Sequence, residues 1–187
     1  MTDFLLETDR LVLRGWTDED ATPFLAMCSD PAVMEFLGPL ASAAQVAEII
    51  ARQQGFQRDY GHCFWAIERK SDGQFLGFCG LKPGPVGTPL EGRVEIGWRL
   101  AREAWGQGYA RESAAASLDW GFTVFGADAI LAMTVLGNSR SWGLMERLGM
   151  TRRHDQDFDH PALAPEDPLR PHIVYSITQA EWAAQAR

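Results

Sequence analysis

The sequence predicts a single mixed α/β domain over residues 1–187, a sheet of about seven strands covered by helices. Three observations carry this reading. The chain has 187 residues with 46% hydrophobic and 22% charged side chains, enough to bury one full core, whereas two cores would stretch it. Runs with strand alternation interleave with runs bearing helix caps, in the order strand, helices, several strands, helix, strand, helix, strand, strand. No internal repeat, low-complexity tract or linker separates parts of the chain.

Each element has its own signal. Leu11 to Trp16 alternates as a first strand. Thr17, followed by Asp18, Glu19 and Asp20, supplies a cap and first-turn acids for a helix from about Asp18 to Cys28. Pro31 stops that helix and opens a short piece to Leu37. Ser42 caps the next helix, with Val46, Ile49, Ile50 and Phe56 on one face and an end near Gly61. Cys63 to Arg69 and Phe75 to Lys82 form a hairpin across the Ser71-Asp72-Gly73 turn. Pro83 to Gly92 is too rich in proline and glycine for regular structure. After the stretch described next, a helix from about Gly108 to Phe125 buries Ala114, Leu118, Phe122 and Phe125. Ile130 to Leu136 is apolar on both faces, as in an interior strand. Asn138 opens a helix whose Ser141, Leu144, Met145 and Leu148 recur at helical spacing, and Gly149 suits a left-handed cap. Met150 to Asp155 is expected as a strand, Asp157 to Pro171 as a loop and Ile173 to Ile177 as the last strand, with a helix-prone tail from Gln179.

The segment from Arg93 to Arg111, RVEIGWRLAREAWGQGYAR, organises the rest. Val94, Ile96, Trp98 and Leu100 point to one side of a strand, and Glu95, Gly97 and Arg99 to the other. A glycine-spaced turn, Trp105 to Ala110, then leads into a helix. First-turn N–H groups lack intrahelical partners and the positive end of the helix dipole lies there, so the turn is an anion cradle suited to a phosphate-bearing cofactor. Gly106 and Gly108 also fit a plainer role as a tight connection. Arg111 stands where the dipole disfavours a cation, which a bound pyrophosphate would reverse; otherwise it points into water beside Glu112.

Composition excludes several classes. A net charge of −8 and no cluster of Lys and Arg argue against nucleic-acid binding, and leave a cationic partner compatible. Cys28, Cys63 and Cys79 show no CxxC spacing, which predicts reduced thiols, neither disulfides nor a thiolate metal site, and a cytoplasmic protein. No run reaches the roughly 18 apolar residues of a membrane span, so neither export nor membrane insertion is expected.

ETDRLVLRGW at residues 7–16, VEIGWRL at 94–100, AWGQGYARE at 104–112, NSRSWGLMERLGM at 138–150, and the FDHP and VYSIT pieces resemble the GNAT superfamily of N-acetyltransferases, in particular the branch of the ribosomal-protein N-acetyltransferases RimJ and RimL. The resemblance implies a splayed, mostly antiparallel mixed sheet with acetyl-CoA between its fourth and fifth strands, those around Glu95 and Met133 here. It implies acetyl transfer from acetyl-CoA to a primary amine, on a peptide or protein N-terminus or a small molecule, in a ternary complex without a metal. It is also compatible with a homodimer.

Carried onto this chain, the resemblance puts Trp98, Leu100, Gly106, Gln107, Gly108, Tyr109, Ala110, Arg111 and Asn138 on the cofactor, Asn138 through the pantetheine chain. The superfamily turn usually starts with Gln or Arg where Trp105 stands, which shifts weight to the backbone amides of Gly106 to Ala110. Glu95 is the candidate base, since desolvation on an apolar strand raises a carboxylate toward the working range; it could equally pair with Arg93 or Arg99 near a sheet surface. A backbone N–H near Gly97 or Trp98 would stabilise the oxyanion. Many members place a Tyr acid seven residues after the motif Asn, but Met145 stands there. Ser141 is the replacement for protonating the thiolate, or else a local backbone partner. Met145 keeps open a second reading, a catalytically silent acyl-CoA sensor.

Other constellations fit less well. Asp155, Asp157, Asp159 and Glu166 follow calcium-loop spacing, but His160 takes the glycine position and Pro161 follows. The same acids could border an acceptor pocket. His62 and Cys63 are neighbours on a strand and face opposite ways, so they cannot form a catalytic pair.

Overall fold

The structure is a computed structural model describing residues 4–185. Its nine strands, numbered in chain order, are β1 (Leu5–Glu7), β2 (Leu11–Arg14), β3 (Phe64–Arg69), β4 (Phe75–Pro83), β5 (Val94–Leu100), β6 (Ala129–Val135), β7 (Thr151–Arg152), β8 (Phe158–Asp159) and β9 (Pro171–Thr178). They form one open mixed sheet, in the order β1-β2-β3-β4-β5-β6-β9-β7, with β8 also on β9. The two strands beyond the expected seven, β1 and β8, have three and two residues, too short for alternation to reveal. The expected strand from Met150 to Asp155 is also short. β7 ends at Arg152, and a 3-10 turn at His154–Gln156 folds the Gln156 N–H back onto the Arg153 carbonyl at 3.0 Å.

The described chain gathers into two compact units, one running to Lys82 and including Gly97–Ser117, the other comprising Pro83–Ile96 and the chain from Leu118 onward. In the first unit β1 to β4 form an antiparallel meander, with Leu11 opposite Arg69 and Phe64 opposite Gly80. Three helices, α1 (Ala21–Cys28), α2 (Pro31–Met34) and α3 (Ala43–Tyr60), belong to it. α3 has the expected ends: the Ser42 hydroxyl accepts from the Gln45 N–H, and Gly61 closes the helix at φ 78°.

The buried side of α3 departs from the apolar pattern at one position. Val46 and Ile50 are buried as expected, but Gln53 is buried beside them, while Phe56 is half-buried. Gln53 Oε1 accepts the Phe64 N–H at 3.0 Å, Gln57 Oε1 accepts the Trp65 indole N–H at 2.8 Å, and the Trp16 indole donates to the Phe64 carbonyl at 2.6 Å. The first residues of β3 are thus satisfied by side chains, which burial requires. Arg14 joins β2 to the start of α1 by a bidentate pair with Asp20 at 2.9 Å and a third bond to Glu68.

In the second unit β6 pairs antiparallel with β9 over seven residue pairs, from Ala129↔Thr178 to Val135↔His172. The described pairing of β5 with β6 is parallel, Val94↔Ile130 and Glu95↔Leu131. Leu90, Leu131 and Val174 are fully buried together, with Met133 and Phe158 against them. Leu136, expected within its strand, is 71% exposed because β6 ends at Val135. α5 (Ser139–Arg147) and α6 (Gln179–Gln185) complete this unit.

The helix after the glycine turn, α4 (Tyr109–Trp120), continues as a π-helical turn over Gly121–Phe125. Ala114, Leu118 and Phe122 are buried as expected, whereas Phe125 is 42% exposed. The wider i→i+5 turn changes the angular phase and carries the last residue off the buried stripe. Ser113 and Ser117, also buried, spend their hydroxyls on the carbonyls one turn back, at 2.9 and 2.8 Å.

Gly77 is the tightest backbone position on β4. At φ 131° an added Cβ would overlap the Arg99 carbonyl oxygen and sit 2.8 Å from the Leu100 Cα, both backbone atoms. Gly77→Ala is therefore expected to cost about 3 kcal/mol or more in urea denaturation. Gly61→Ala, where a Cβ meets nothing within 4 Å at φ 78°, is expected to cost only about 1 kcal/mol.

Candidate active site

The glycine turn lies wholly in the first unit and is built by a short relay of bonds. After β5 the Ala101 N–H donates to the Leu76 carbonyl at 2.9 Å, and a 3-10 turn over Arg102–Ala104 reverses the chain. The Trp105 indole N–H returns to the Leu100 carbonyl at 2.9 Å, so Trp105 braces the turn from its own strand. Gly106 and Gly108 are left-handed at φ 72° and 84°. These two angles, which side-chain-bearing residues disfavour, bring the chain from strand to helix within a few residues.

The donors of this segment are open. Among the described residues, the first N–H after Trp105 that donates to a backbone carbonyl is that of Glu112, to Gly108 at 3.0 Å. The amides of Gly106, Gln107, Gly108, Tyr109, Ala110 and Arg111 have no backbone partner. The acceptors are occupied: the Gln107 carbonyl takes Arg10 Nη1 at 3.0 Å, and the Glu103 carbonyl takes the Gln107 side-chain amide at 2.6 Å. Six adjacent N–H groups at a helix start, with their neighbouring carbonyls engaged, form a site for an anion with several oxygens.

A clamp that sequence reasoning missed holds this turn. Glu112 accepts from the Thr8 hydroxyl at 2.6 Å, the Arg10 N–H at 3.0 Å and Arg10 Nε at 2.7 Å. Arg10 also lies over the ring of Tyr109, 4.5 Å from its centroid. Burial would raise the Glu112 pKa, but the Thr8 hydroxyl and Arg10 outweigh it and hold the carboxyl below its ordinary value. An acid in the first turn of α4 was legible in the sequence; its partners, about a hundred residues away, were not.

The other cofactor candidates in this unit are varied in setting. Tyr109 is buried against Arg10, Leu100 is buried, and Trp98 is half-buried on β5. Arg111 is exposed and forms no ion pair with a described residue. Gly97 lies against Phe64, whose ring carbon Cζ would be 2.6 Å from an added Cβ.

The second unit holds Glu95, Asn138 and Ser141. Glu95 is only 6% exposed, opposite Leu131 in the register of β5 with β6. Of the two arginines considered from sequence, Arg93 is exposed, and Arg99 makes contacts with Cys28 and Phe78. Asn138 is the cap of α5, its Oδ1 accepting the Ser141 N–H at 3.2 Å. That bond uses the Ser141 backbone, and the half-buried hydroxyl has no partner among the described residues, so the local hydroxyl bond considered from sequence is not formed. Met145, at the position of the expected Tyr, is buried.

The acidic loop does not gather a metal site. Asp157 pairs with Arg152 at 2.6 Å and Asp159 with Arg170 at 3.3 Å, and no group of three or more His, Cys, Asp or Glu among the described residues could hold a metal ion. His62 donates Nδ1–H to the Leu81 carbonyl at 3.0 Å, and burial pushes the Cys63 thiol up to about 12, which disfavours the nucleophilic thiolate. No described helix is long and apolar enough to cross a membrane.

Residues 10–151 match the family model of the acetyltransferase (GNAT) domain. The uncharacterized protein YkkB of Bacillus subtilis is 38% identical over 146 residues, 78% of this chain and 84% of that protein. Among solved structures, an acetyltransferase from Agrobacterium tumefaciens superposes with a TM-score of 0.76 at 24% identity, covering 95% of each chain. Spermidine N-acetyltransferase from Vibrio cholerae, solved with CoA and spermine, superposes at 0.72 with 17% identity, over 94% of this chain and 99% of that one.

The Glu112 clamp makes a testable contribution to stability. Its folded pKa is depressed, so its stabilisation is full above the unfolded carboxylate value of about 4.3 and is lost as pH falls through the lower folded value. Glu112→Gln is expected to lower unfolding free energy by about 1–3 kcal/mol at pH 7. The gap to wild type should close below about pH 4, followed by thermal melts across pH 3–7.

Proposed function

Because the chain belongs to the GNAT acetyltransferase family, we propose that it transfers an acetyl group from acetyl-CoA directly to a primary amine in a ternary complex. The observation that carries the cofactor half is the run of open N–H donors from Gly106 to Arg111. Their number and the helix dipole suit a pyrophosphate, and exposed Arg111 adds a cation beside it. Trp98, Leu100 and Asn138 would border the remainder of the cofactor. That the Vibrio cholerae enzyme of this fold holds CoA together with a polyamine supports the same pairing of thioester and amine here.

The thioester supplies an electrophilic carbonyl carbon. The amine nitrogen forms a bond to it, the carbon–sulfur bond breaks, one amine proton leaves and the thiolate gains one. Glu95 is the group assigned to the first proton: a buried carboxylate is a stronger base than one in water, and it takes the proton directly or through one water. Ser141 is assigned to the sulfur, since its hydroxyl is uncommitted where the Tyr acid is replaced by Met145. A backbone N–H near Gly97 or Trp98 stabilises the oxyanion.

The proposal extends to a single domain, the branch of RimJ and RimL, a cytoplasmic location, and an acceptor that is a peptide N-terminus or a small-molecule amine. The motif at residues 138–150 supports the branch. The silent-sensor alternative keeps the cradle and loses the chemistry. Glu95→Gln is expected to lower kcat/KM about 100-fold, and Ser141→Ala about tenfold, with CoA affinity by calorimetry unchanged within twofold. Wild-type protein that binds CoA yet releases none with a broad panel of amines and peptides would establish the sensor instead. Absence of CoA binding would overturn both.

A further inference from the structure

Arg99 is a cation without a carboxylate partner among the described residues. It projects from the same face of β5 as Gly97, about 7 Å along the strand. Its Nη1 donates to Cys28 Sγ at 3.2 Å, and its guanidinium carbon lies 5.4 Å from the centroid of the Phe78 ring. Its Nε is buried without a hydrogen-bond partner. No carboxylate among the described residues pairs with it.

The other arginines of this unit show how unusual that is. Arg10, Arg14, Arg58 and Arg69 each pair with a carboxylate, and Arg52, Arg102 and Arg111 are exposed to water. Arg99 is half-buried and has neither remedy. A thiol is a weak acceptor and a ring face gives only partial compensation, so desolvating this guanidinium is poorly repaid within the unit. The cost is hard to account for in a chain of net charge −8, where carboxylates are plentiful, unless the partner arrives with a ligand.

The surroundings indicate what kind of ligand. The rings of Phe64 and Phe78 stack at 5.4 Å and 6°, and Phe64 also covers Gly97. Both rings are largely buried, at 8% exposure each, and Lys82 Nζ lies 5.2 Å from the Phe64 centroid, so an aromatic pair flanked by two cations lines the strand from the position assigned to the oxyanion to the guanidinium. We propose that the acceptor amine also carries a carboxylate, which Arg99 binds beside the Phe64–Phe78 pair. This rests on the acetyltransferase reading above and selects, within it, amino-acid-like acceptors over polyamines.

The test uses matched amines with and without the carboxylate: L-phenylalanine against 2-phenylethylamine, and γ-aminobutyrate against propylamine, with spermine as the polycation. Turnover and calorimetric binding to the CoA-loaded protein are measured for wild type, Arg99→Met and Arg99→Lys. At least one carboxylate-bearing member should exceed its partner about 10- to 100-fold in kcat/KM and in affinity. Arg99→Met should abolish that preference through KM, and Arg99→Lys should restore part of it, with CoA affinity and melting temperature close to wild type. Turnover without discrimination, a preference surviving in Arg99→Met, preference for spermine, or binding of neither pair overturns the inference. Loss of CoA affinity in Arg99→Met also overturns it, because the anion would then belong to the cofactor. Failure of CoA binding in wild type is the separate signature that the acetyltransferase reading itself is wrong.

Discussion

The open amides at the start of α4 are the constraint on which the candidate site depends. A turn that keeps six donors unspent costs stability wherever those donors are not solvated, and a chain left to itself would close some of them with its own carbonyls. Here the competing acceptors are engaged elsewhere, the Gln107 carbonyl by Arg10 and the Glu103 carbonyl by the Gln107 amide. The Arg10 guanidinium that takes one of those carbonyls is itself fixed by Glu112. A charged clamp therefore keeps these donors from the chain's own carbonyls, and the clamp is anchored on the segment that leads into β2.

The same logic of satisfying polar groups from a distance shapes the first unit. The start of β3 is served by Gln53 and Gln57 of α3 and by Trp16, so helix and sheet are joined by bonds as well as by apolar burial. A buried glutamine is retained on a hydrophobic stripe because the Phe64 N–H would otherwise be left unpaired. Arg14 shows the electrostatic counterpart, a guanidinium given two carboxylates. Arg99 stands out against these neighbours as a group whose demand the unit leaves unmet.

Chemically, the candidate residues divide between backbone and side chain. In the proposed reading phosphate recognition falls on amides, which tolerate Trp105 at the head of the turn because its indole supports the backbone and leaves the N–H groups after it open. The proton handling we propose falls on two side chains of different character: Glu95, buried on a strand, and Ser141, half-buried on the first turn of α5, its hydroxyl without a partner among the described residues.

The sequence by itself determined the elements whose causes are local. α3 was legible because Ser42 and Gly61 act within a few residues, the Ser71-Asp72-Gly73 hairpin because turn chemistry is short-range, and the glycine turn because Gly106 and Gly108 carry their φ preference with them. The candidate residues at the turn and at Asn138 followed from the same local signals and from the family pattern. What only the tertiary structure decided depends on pairings between distant segments. β1 and β8 are too short to exist without the strands they join, Phe125 left its stripe because of a π-helical turn, and Glu112 acquired its role from Thr8 and Arg10 across about a hundred residues. Arg99 was one more alternating strand residue until the fold set it against a thiol and an aromatic ring, with no carboxylate pairing among the described residues. Local propensity is written in neighbouring residues, whereas the meeting of a charge with its partner, or the lack of one, is set by which distant surfaces the fold brings into contact.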